Sequence, residues 1–516
     1  MELIAKIVML ASCAVCVLVQ TVYFTHMMQL NSYRNERYRK WCKDHEEKVV
    51  NLRRLLPALL LPIMWLPGVY SYYAAGAVLL LTAGLNIPKK AKKPLVFTHR
   101  VWRLLGMQAL LLLLVLTGAF FVDRMRSIGM AALYSLVVWV WTLVSNFLLG
   151  PLEKALANRY VKDARRRLEA MPGLLTIGVT GSYGKTSTKN FLHALLSVKY
   201  NVLMTPESYN TTLGVVRTIR ESLRPTHQVL IAEMGAKNPG DIREICDLVH
   251  PRYGVLTSVG EQHLETFRTV ENIVKTKFEL IDALPAEGRG FLNTDNEYIR
   301  LRLAEGGFSA PLTTYGLGLS DVTASDIQVD GAGTSFLITA GGESRRFTTR
   351  LLGLHNVQNI TGCIAVALEL GIPLEDLVYP VRMLKPVEHR LQLLPGGIID
   401  DAYNSNPAGF RGALDVLAGF QAERILVTPG MVELGDKQDE LNRQLGEYAA
   451  ARCDYAVLVG ERQAPPLKEG LLAGGFPEER IFVAPTLQAG LAHLREKPAP
   501  GLRITLLEND LPDNFE

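Results

Sequence analysis

Apolar runs fill most of residues 3–25, 55–87, 104–122 and 128–150, and an α-helix needs about 20 such residues to cross the hydrocarbon core of a bilayer. Nothing else in the chain narrows its fold as much. No convincing small-residue cleavage site follows the first run, so it reads as an anchor rather than a removable leader. Two basic segments, "YRNERYRKWCKDHEEKVVNLRR" and "KKAKKPLVFTHRVWR", flank the second run, and positive loops stay in the cytoplasm. If both are cytoplasmic, residues 55–87 must enter and leave on one side, as a tight hairpin or re-entrant pair turning at "LPGVYSYY". The last two runs, parted by "VDRMRS", form another hairpin. The expectation is a multi-span transmembrane region over 1–150 with about five segments, an outside N-terminus and all later residues in the cytoplasm. A single long tilted helix over 55–87 is the alternative, and it would leave one basic loop outside. Residues 151–173, with "EKALANRYVKDARRRLEAM", read as a basic juxtamembrane linker helix that anionic lipid would attract, or as a connecting helix with a solvated basic face.

The net charge of +4 over 516 residues is too mild to imply nucleic acid, and no nucleic-acid partner is expected. Six cysteines are scattered without paired CxxC clusters. Cys13 and Cys16 do form one CxxC, but within an apolar run, where they read as small helix-facing residues. No disulfide framework is expected, as in a reducing compartment.

From residue 174 the pattern changes. "LLTIGVT", "HQVLIAEM", "YGVLTSV" and "GRGFLNTD" read as buried strands, with helical stretches between the first three. This alternation marks an open α/β domain with a parallel sheet. A second series starts near "GGIIDDAY" and continues through "RILVTPGM" and "YAVLVG", with a β-rich excursion at 310–350 between the two. "TIGVTGSYGKTSTKNFL" runs from a strand into a helix, and a glycine turn there offers N–H groups and a positive dipole end to phosphate. Gly181 and Gly184 allow close backbone approach, Lys185 can reach outer phosphates, and the Thr186 hydroxyl suits a magnesium ion. Val179 stands where GxxxxGK[ST] has its first glycine, which leaves the shorter TGxxGK[ST].

In order along the chain, "VTGSYGKTSTK", "AEMGAKNPGDI", "LTSVGEQHLETF", "KTKFELI", "LGLHNVQNITGCIAVA", "VEHRLQ", "IIDDAYNSNPAGFRGAL" and "TPGMVELGDKQDELNRQLG" resemble motifs of the Mur ligases. These enzymes add amino acids or a dipeptide to peptidoglycan precursors, and the dipeptide-adding kind is most similar. The resemblance covers about 174–460. It implies a central P-loop ATPase-like domain at 174–384 and a Rossmann-like α/β C-terminal domain at 385–516. It also implies ATP-dependent carboxylate–amine ligation through an acyl phosphate, with ATP and Mg2+ (two ions) as cofactors. Thr180, Gly181, Ser182, Gly184, Lys185, Thr186 and Ser187 would cradle the nucleotide, with Asn359 on the adenine and Arg390 and Asp401 on phosphate and ribose. Asn356 would support its helix start. Thr186, Glu233, His263 and Lys277 would hold metal, Lys277 as a carbamate; Lys275 and Asp400 are the rival positions to Lys277 and Asp401. Lys185, Glu233, His263 and Lys277 form the expected catalytic set, and Asn210 lies on the substrate side.

Three departures bear on the substrate. Membrane spans stand where the family's UDP-sugar-binding domain should be, which points to a lipid-linked acceptor. "LLENDLPDNFE" replaces a KGS-type strand ending, so the incoming amine would differ. Tyr183 and Gln262 replace residues that are usually Asn and Ala. The expected partners are a cell-envelope precursor, an amino acid or short peptide, and membrane lipid. The expected location is the bacterial cell membrane, multi-pass, with the catalytic domains cytoplasmic. A folate-type or poly-amino-acid ligase on the same core, or a non-enzymatic ATP-binding scaffold, are the competing readings.

Overall fold

In the computed structural model, every residue is described except 89–92, 208, 262–263, 331–332, 404–405, 433, 461–463, 499–500 and 511–516. The chain falls into two compact units, Met1–Asn158 and Arg159–Leu511.

The first unit is helical. Helix α1 (Glu2–Leu30) and helix α3 (His99–Phe121) are, among the described residues, the two helices long and apolar enough to cross a membrane; between them lies the shorter apolar α2 (Tyr70–Leu85). The 55–87 run is a helical hairpin. Short helical turns from Leu52–Leu55 to Leu60–Ile63 lead into α2, and Gly68 takes a positive φ of 57° at the break between them. The run at 128–150 is not one straight span. Helix α4 (Arg124–Leu136) meets α5 (Val138–Glu169) at a 76° bend, a third candidate span if the pair counts as one. No break separates 150 from 151: the expected linker helix is the second half of α5, with Pro151 inside it.

Contacts gather this unit's turns at two ends. At one end Lys6 Nζ donates to the Val122 carbonyl at 2.6 Å, and Arg124 Nη1 donates to the Gly68 carbonyl at 3.3 Å. At the other, Gln29 Nε2 donates to the Val96 carbonyl at 2.8 Å, Arg54 Nε to Asn86 Oδ1 at 3.3 Å, and Arg103 pairs with Glu153 at 2.5 Å. Large apolar side chains such as Leu113, Leu114 and Phe147 stay exposed.

The second unit holds two sheets. In the first, β1 (Leu175–Thr180), β2 (Val202–Met204), β3 (Val229–Glu233), β4 (Tyr253–Leu256), β5 (Arg289–Asn293) and β6 (Leu312–Gly316) run parallel in the order β2-β3-β1-β4-β5-β6. The β-rich excursion extends this same sheet. It consists of β7 (Val322–Asp330), parallel to β6, then β8 (Gly333–Ala340) and β9 (Glu343–Thr349), both antiparallel. Strands buried on both faces read as unbroken β-branched runs, which is why "LTIGVT" and "VLIAE" were legible. One face packs on α6 (Lys185–Leu196) and α7 (Leu354–Glu369) through Phe191, Leu195, Val357 and Ile364; Ile245, Phe278 and Ile281 belong to a second buried cluster of the unit.

The second sheet comprises β10 (Gln392–Leu394), β11 (Ile398–Asp401), β12 (Glu423–Thr428), β13 (Tyr455–Val459), β14 (Ile481–Ala484) and β15 (Arg503–Glu508). Their order is β10-β11-β15-β12-β13-β14, parallel except for β10. Open α/β sheets bind ligands beyond the C-terminal ends of their strands, and Thr180, Glu233 and Asp401 end β1, β3 and β11.

Candidate active site

The phosphate loop leaves β1 and enters α6 through two glycines that no other residue could replace without movement. A Cβ on Gly181 would sit 2.1 Å from Thr257 Oγ1; on Gly184, which caps α6 at φ +79°, it would meet Asn359 Oδ1 at 2.6 Å. The opening amides of a helix have no partner within it and face an anion together with the helix dipole; here they belong to Lys185, Thr186 and Ser187. Other expected phosphate contacts are turned elsewhere. The Ser182 and Tyr183 amides donate to the Ser258 carbonyl and Oγ, both at 2.8 Å. The Thr180 and Ser182 hydroxyls donate to the carbonyls of Met234 and Gly260 at 2.8 and 3.1 Å. The Thr180 and Ser182 hydroxyls therefore brace the loop against the ends of its neighbouring strands.

Lys185 Nζ folds back onto its own loop, donating to the carbonyls of Gly181 at 2.7 Å and Ser182 at 3.0 Å. Burial pulls its ammonium down to about 8; Glu233 opposes that shift and Arg390 adds to it. The neutral amine predominates above that value and cannot pair with a phosphate. Accordingly kcat/KM for ATP should fall as pH rises through about 8, and Lys185→Arg should remove this limb, because a guanidinium stays charged. A wild-type profile flat from neutral to strongly alkaline pH would refute the assignment.

Glu233 ends β3, and its carboxylate is the hub of the site. Oε1 accepts from Thr186 Oγ1 and from Asn210 Nδ2, each at 3.1 Å, and Oε2 lies 3.0 Å from Lys189 Nζ. Both side chains of that ion pair are buried, Lys189 at 0% exposure and Glu233 at 1%. The Thr186 hydroxyl and the Glu233 carboxylate are adjacent, buried oxygen donors, a set that fits a hard cation such as Mg2+. Among the described residues no group of three or more His, Cys, Asp and Glu is placed to hold a metal. His263 lies outside the described residues. Lys189 was not anticipated from sequence, although it sits three residues after Thr186 and four after Lys185, on the same helix face.

Lys277 is 3% exposed, whereas its rival Lys275 is on the surface. Burial drives the Lys277 ammonium well below the usual lysine range, helped by nearby Lys185 and opposed by Asp241 and Glu279. Glu279, two residues after Lys277, has a different task. Glu279 accepts from the Gly240 and Arg243 amides at 2.7 and 2.9 Å, closing the start of the helix Asp241–Val249.

From the second sheet, Arg390 Nη2 lies 3.4 Å from Thr186 Oγ1, with its guanidinium 4.5 Å from the centre of the Tyr403 ring. Its neighbours His389 and Leu391 both have positive φ, 58° and 47°. Two carboxylates hold this turn: Asp400 Oδ2 sits 2.7 Å from His389 Nδ1, and Asp401 Oδ1 accepts from the Leu391 amide at 3.1 Å. Burial lifts the Asp401 carboxyl to about 6, with the Leu391 amide and Arg390 opposing. Asn356 Nδ2 donates to the Leu352 carbonyl at 2.8 Å, as expected of a residue supporting its helix start, while Asn359 lies against Gly184.

Comparison with known proteins agrees with this geometry. Residues 179–367 match the Mur ligase middle domain, and residues 389–506 match the Mur ligase glutamate ligase domain. The chain is 32% identical to the UDP-N-acetylmuramoyl-tripeptide–D-alanyl-D-alanine ligase of Bacillus subtilis, over 60% of this chain and 67% of that protein. It is 30% identical to the Escherichia coli ligase of the same name, over 60% of this chain and 72% of that one. Among solved structures, the MurF ligase of Thermotoga maritima in complex with ADP superposes with a TM-score of 0.62 at 26% identity, covering 69% of this chain and 80% of that one. The chain belongs to the Mur ligase family, and it is an ATP-dependent ligase that forms carbon–nitrogen bonds.

Proposed function

We propose that this protein is a membrane-anchored ligase that joins an amino acid or short peptide to the carboxylate of a peptidoglycan-type precursor carried on a lipid. The observation that carries the chemistry is the meeting of Lys185, Thr186, Glu233 and Asn210 at the ends of β1 and β3, with buried Lys277 adjoining Lys185. A carboxylate is a poor electrophile, so its oxygen first attacks the γ-phosphorus of ATP and ADP departs with the bridging oxygen. The amine nitrogen then attacks the acyl carbon, the C–O bond to phosphate breaks, and the nitrogen loses a proton. Lys185 and the α6 amides neutralise the phosphate oxygens as charge moves onto them. Thr186 and Glu233 would hold Mg2+, which would supply further charge neutralisation when bound; His263 and a carbamylated Lys277 are proposed for a second ion. Asn210, sharing the Glu233 carboxylate, faces the acceptor side. Arg390 and Asp401 meet the nucleotide from the second sheet, and Asn359 lies beside the base.

The lipid-linked acceptor is favoured by what precedes the ligase core. Two helices of membrane-spanning length leave most of their apolar windows uncovered, with only 39% and 22% of the windows buried. The two clustered ends of the helical unit suit five passes, with Lys6, Gly68 and Arg124 outside and the arginine-rich end, with Arg54, Arg100 and Arg103, in the cytoplasm. In whole cells a variant with only Gly68→Cys should react with an impermeant thiol reagent. One with only Lys48→Cys should react only after permeabilisation, and the opposite labelling would overturn this topology.

The substrate test is direct. Detergent-purified protein is incubated with ATP, Mg2+ and labelled amino acids or D-alanyl-D-alanine, alongside either a membrane lipid extract or a soluble UDP-muramoyl tripeptide. Mass spectrometry should find the new amide on the lipid fraction. Product only from the UDP-precursor would leave the ligase reading in place and remove the lipid-linked one.

A further inference from the structure

Lys189 is fully buried and makes two contacts that no phosphate loop requires. Its Nζ pairs with Glu233 Oε2 at 3.0 Å and also donates to the main-chain carbonyl of Glu207. Glu207 holds a positive φ of 45°, a conformation that non-glycine residues adopt at a cost and keep only when their surroundings enforce it. Three residues on, Asn210 Nδ2 donates to Glu233 Oε1 at 3.1 Å, while its carbonyl accepts from the Gly235 amide at 2.7 Å. The segment that carries Asn210 is thus tied to Glu233 twice, once by its own amide and once through Lys189. Breaking one side of a buried ion pair leaves an uncompensated charge, so neither partner can move alone.

We propose that Lys189 is a positioning residue that couples the Glu233 metal carboxylate to the acceptor-side segment at Glu207 and Asn210. Through it, metal arrival at Glu233 orders the place where the acceptor binds. The inference rests on the reading of Thr186 and Glu233 as metal ligands. When Glu233 is drawn toward a cation beside Thr186, its Oε2 carries the Lys189 ammonium with it, and that ammonium holds the Glu207 carbonyl. Lys189 itself touches neither nucleotide nor acceptor. Its length and charge matter because they bridge a carboxylate and a carbonyl on two different segments.

Hydrogen exchange on the full-length protein in detergent tests this without knowledge of the acceptor. A non-hydrolysable ATP analogue should protect the amides of 184–187 in both wild type and Lys189→Met. Adding Mg2+ to the wild type should slow exchange around Asn210 by about tenfold or more, and in Lys189→Met this magnesium-dependent step should disappear. If Lys189→Met fails to fold, Asn210→Ala, which cuts the other tie, should reduce the same step at least severalfold. With the acceptor identified, Lys189→Met should raise its KM more than it lowers kcat. Equal magnesium-dependent protection in wild type and Lys189→Met, or in wild type and Asn210→Ala, would overturn the coupling. Failure of the analogue to protect 184–187 in the wild type would instead overturn the nucleotide reading, and the coupling with it.

Discussion

Replacing Lys185 by alanine should lower ATP-dependent amide formation by about a thousandfold, the scale on which a transition-state cation at a transferring phosphoryl group acts. Lys185 ties the Gly181 and Ser182 carbonyls, but Gly181, Gly184 and the contacts to Ser258 also set the path of the loop. Folding should therefore survive, and thermal melts of wild type and variant should nearly coincide. Rapid-quench measurement of ADP formation in the presence of acceptor reads the loss. A decrease of less than about tenfold would place the phosphoryl-transfer cation elsewhere.

Lys277→Ala should be nearly as damaging, with a loss of about a hundredfold or more if it removes a ligand of a catalytic cation. Carbamate formation requires a neutral amine, whose lone pair attacks carbon dioxide as one proton leaves. A lysine at its ordinary pKa of about 10.4 is almost fully charged at neutral pH. Burial and the neighbouring Lys185 hold Lys277 well below that range, which raises the share of neutral amine. Activity should fall in buffer stripped of carbon dioxide and return with bicarbonate, whereas Lys277→Ala should not respond. Isotopically labelled carbon dioxide should give a carbamate carbon signal in the wild type alone. Full activity without bicarbonate, together with no such signal, would eliminate the carbamate.

The parallel strands and the phosphate turn were legible because each is a local pattern: a β-branched run, then glycines where a Cβ would collide. Lys277 is preferred over Lys275 on the local pattern Lys-x-Glu at 277–279. The tasks of Thr180 and Ser182 were not legible. A hydroxyl in a glycine-rich loop looks the same whether it faces a phosphate or a carbonyl on the next strand. Lys189 was missed because its significance arises from Glu233 and Glu207, 44 and 18 residues away in the chain. In the first unit the last expected span is bent instead of straight. Hydropathy marks what avoids water and is silent on where a helix bends, as at the α4–α5 junction.

The turn around Arg390 has a mechanical consequence. Residues 350–391 join the two sheets of the second unit, and 383–391 are the stretch after the last helix of that connection, so a swing of the second sheet would bend the chain there. A residue near a pivot travels little while the far rim sweeps through a wide arc. With Arg390 on that connection and 3.4 Å from Thr186, such a swing would displace its guanidinium less than the far rim of the second sheet. Lys437, paired with Glu261 at 3.0 Å next to the Ser182–Gly260 contact, is a second tie between the two halves of the unit that such a swing would have to break.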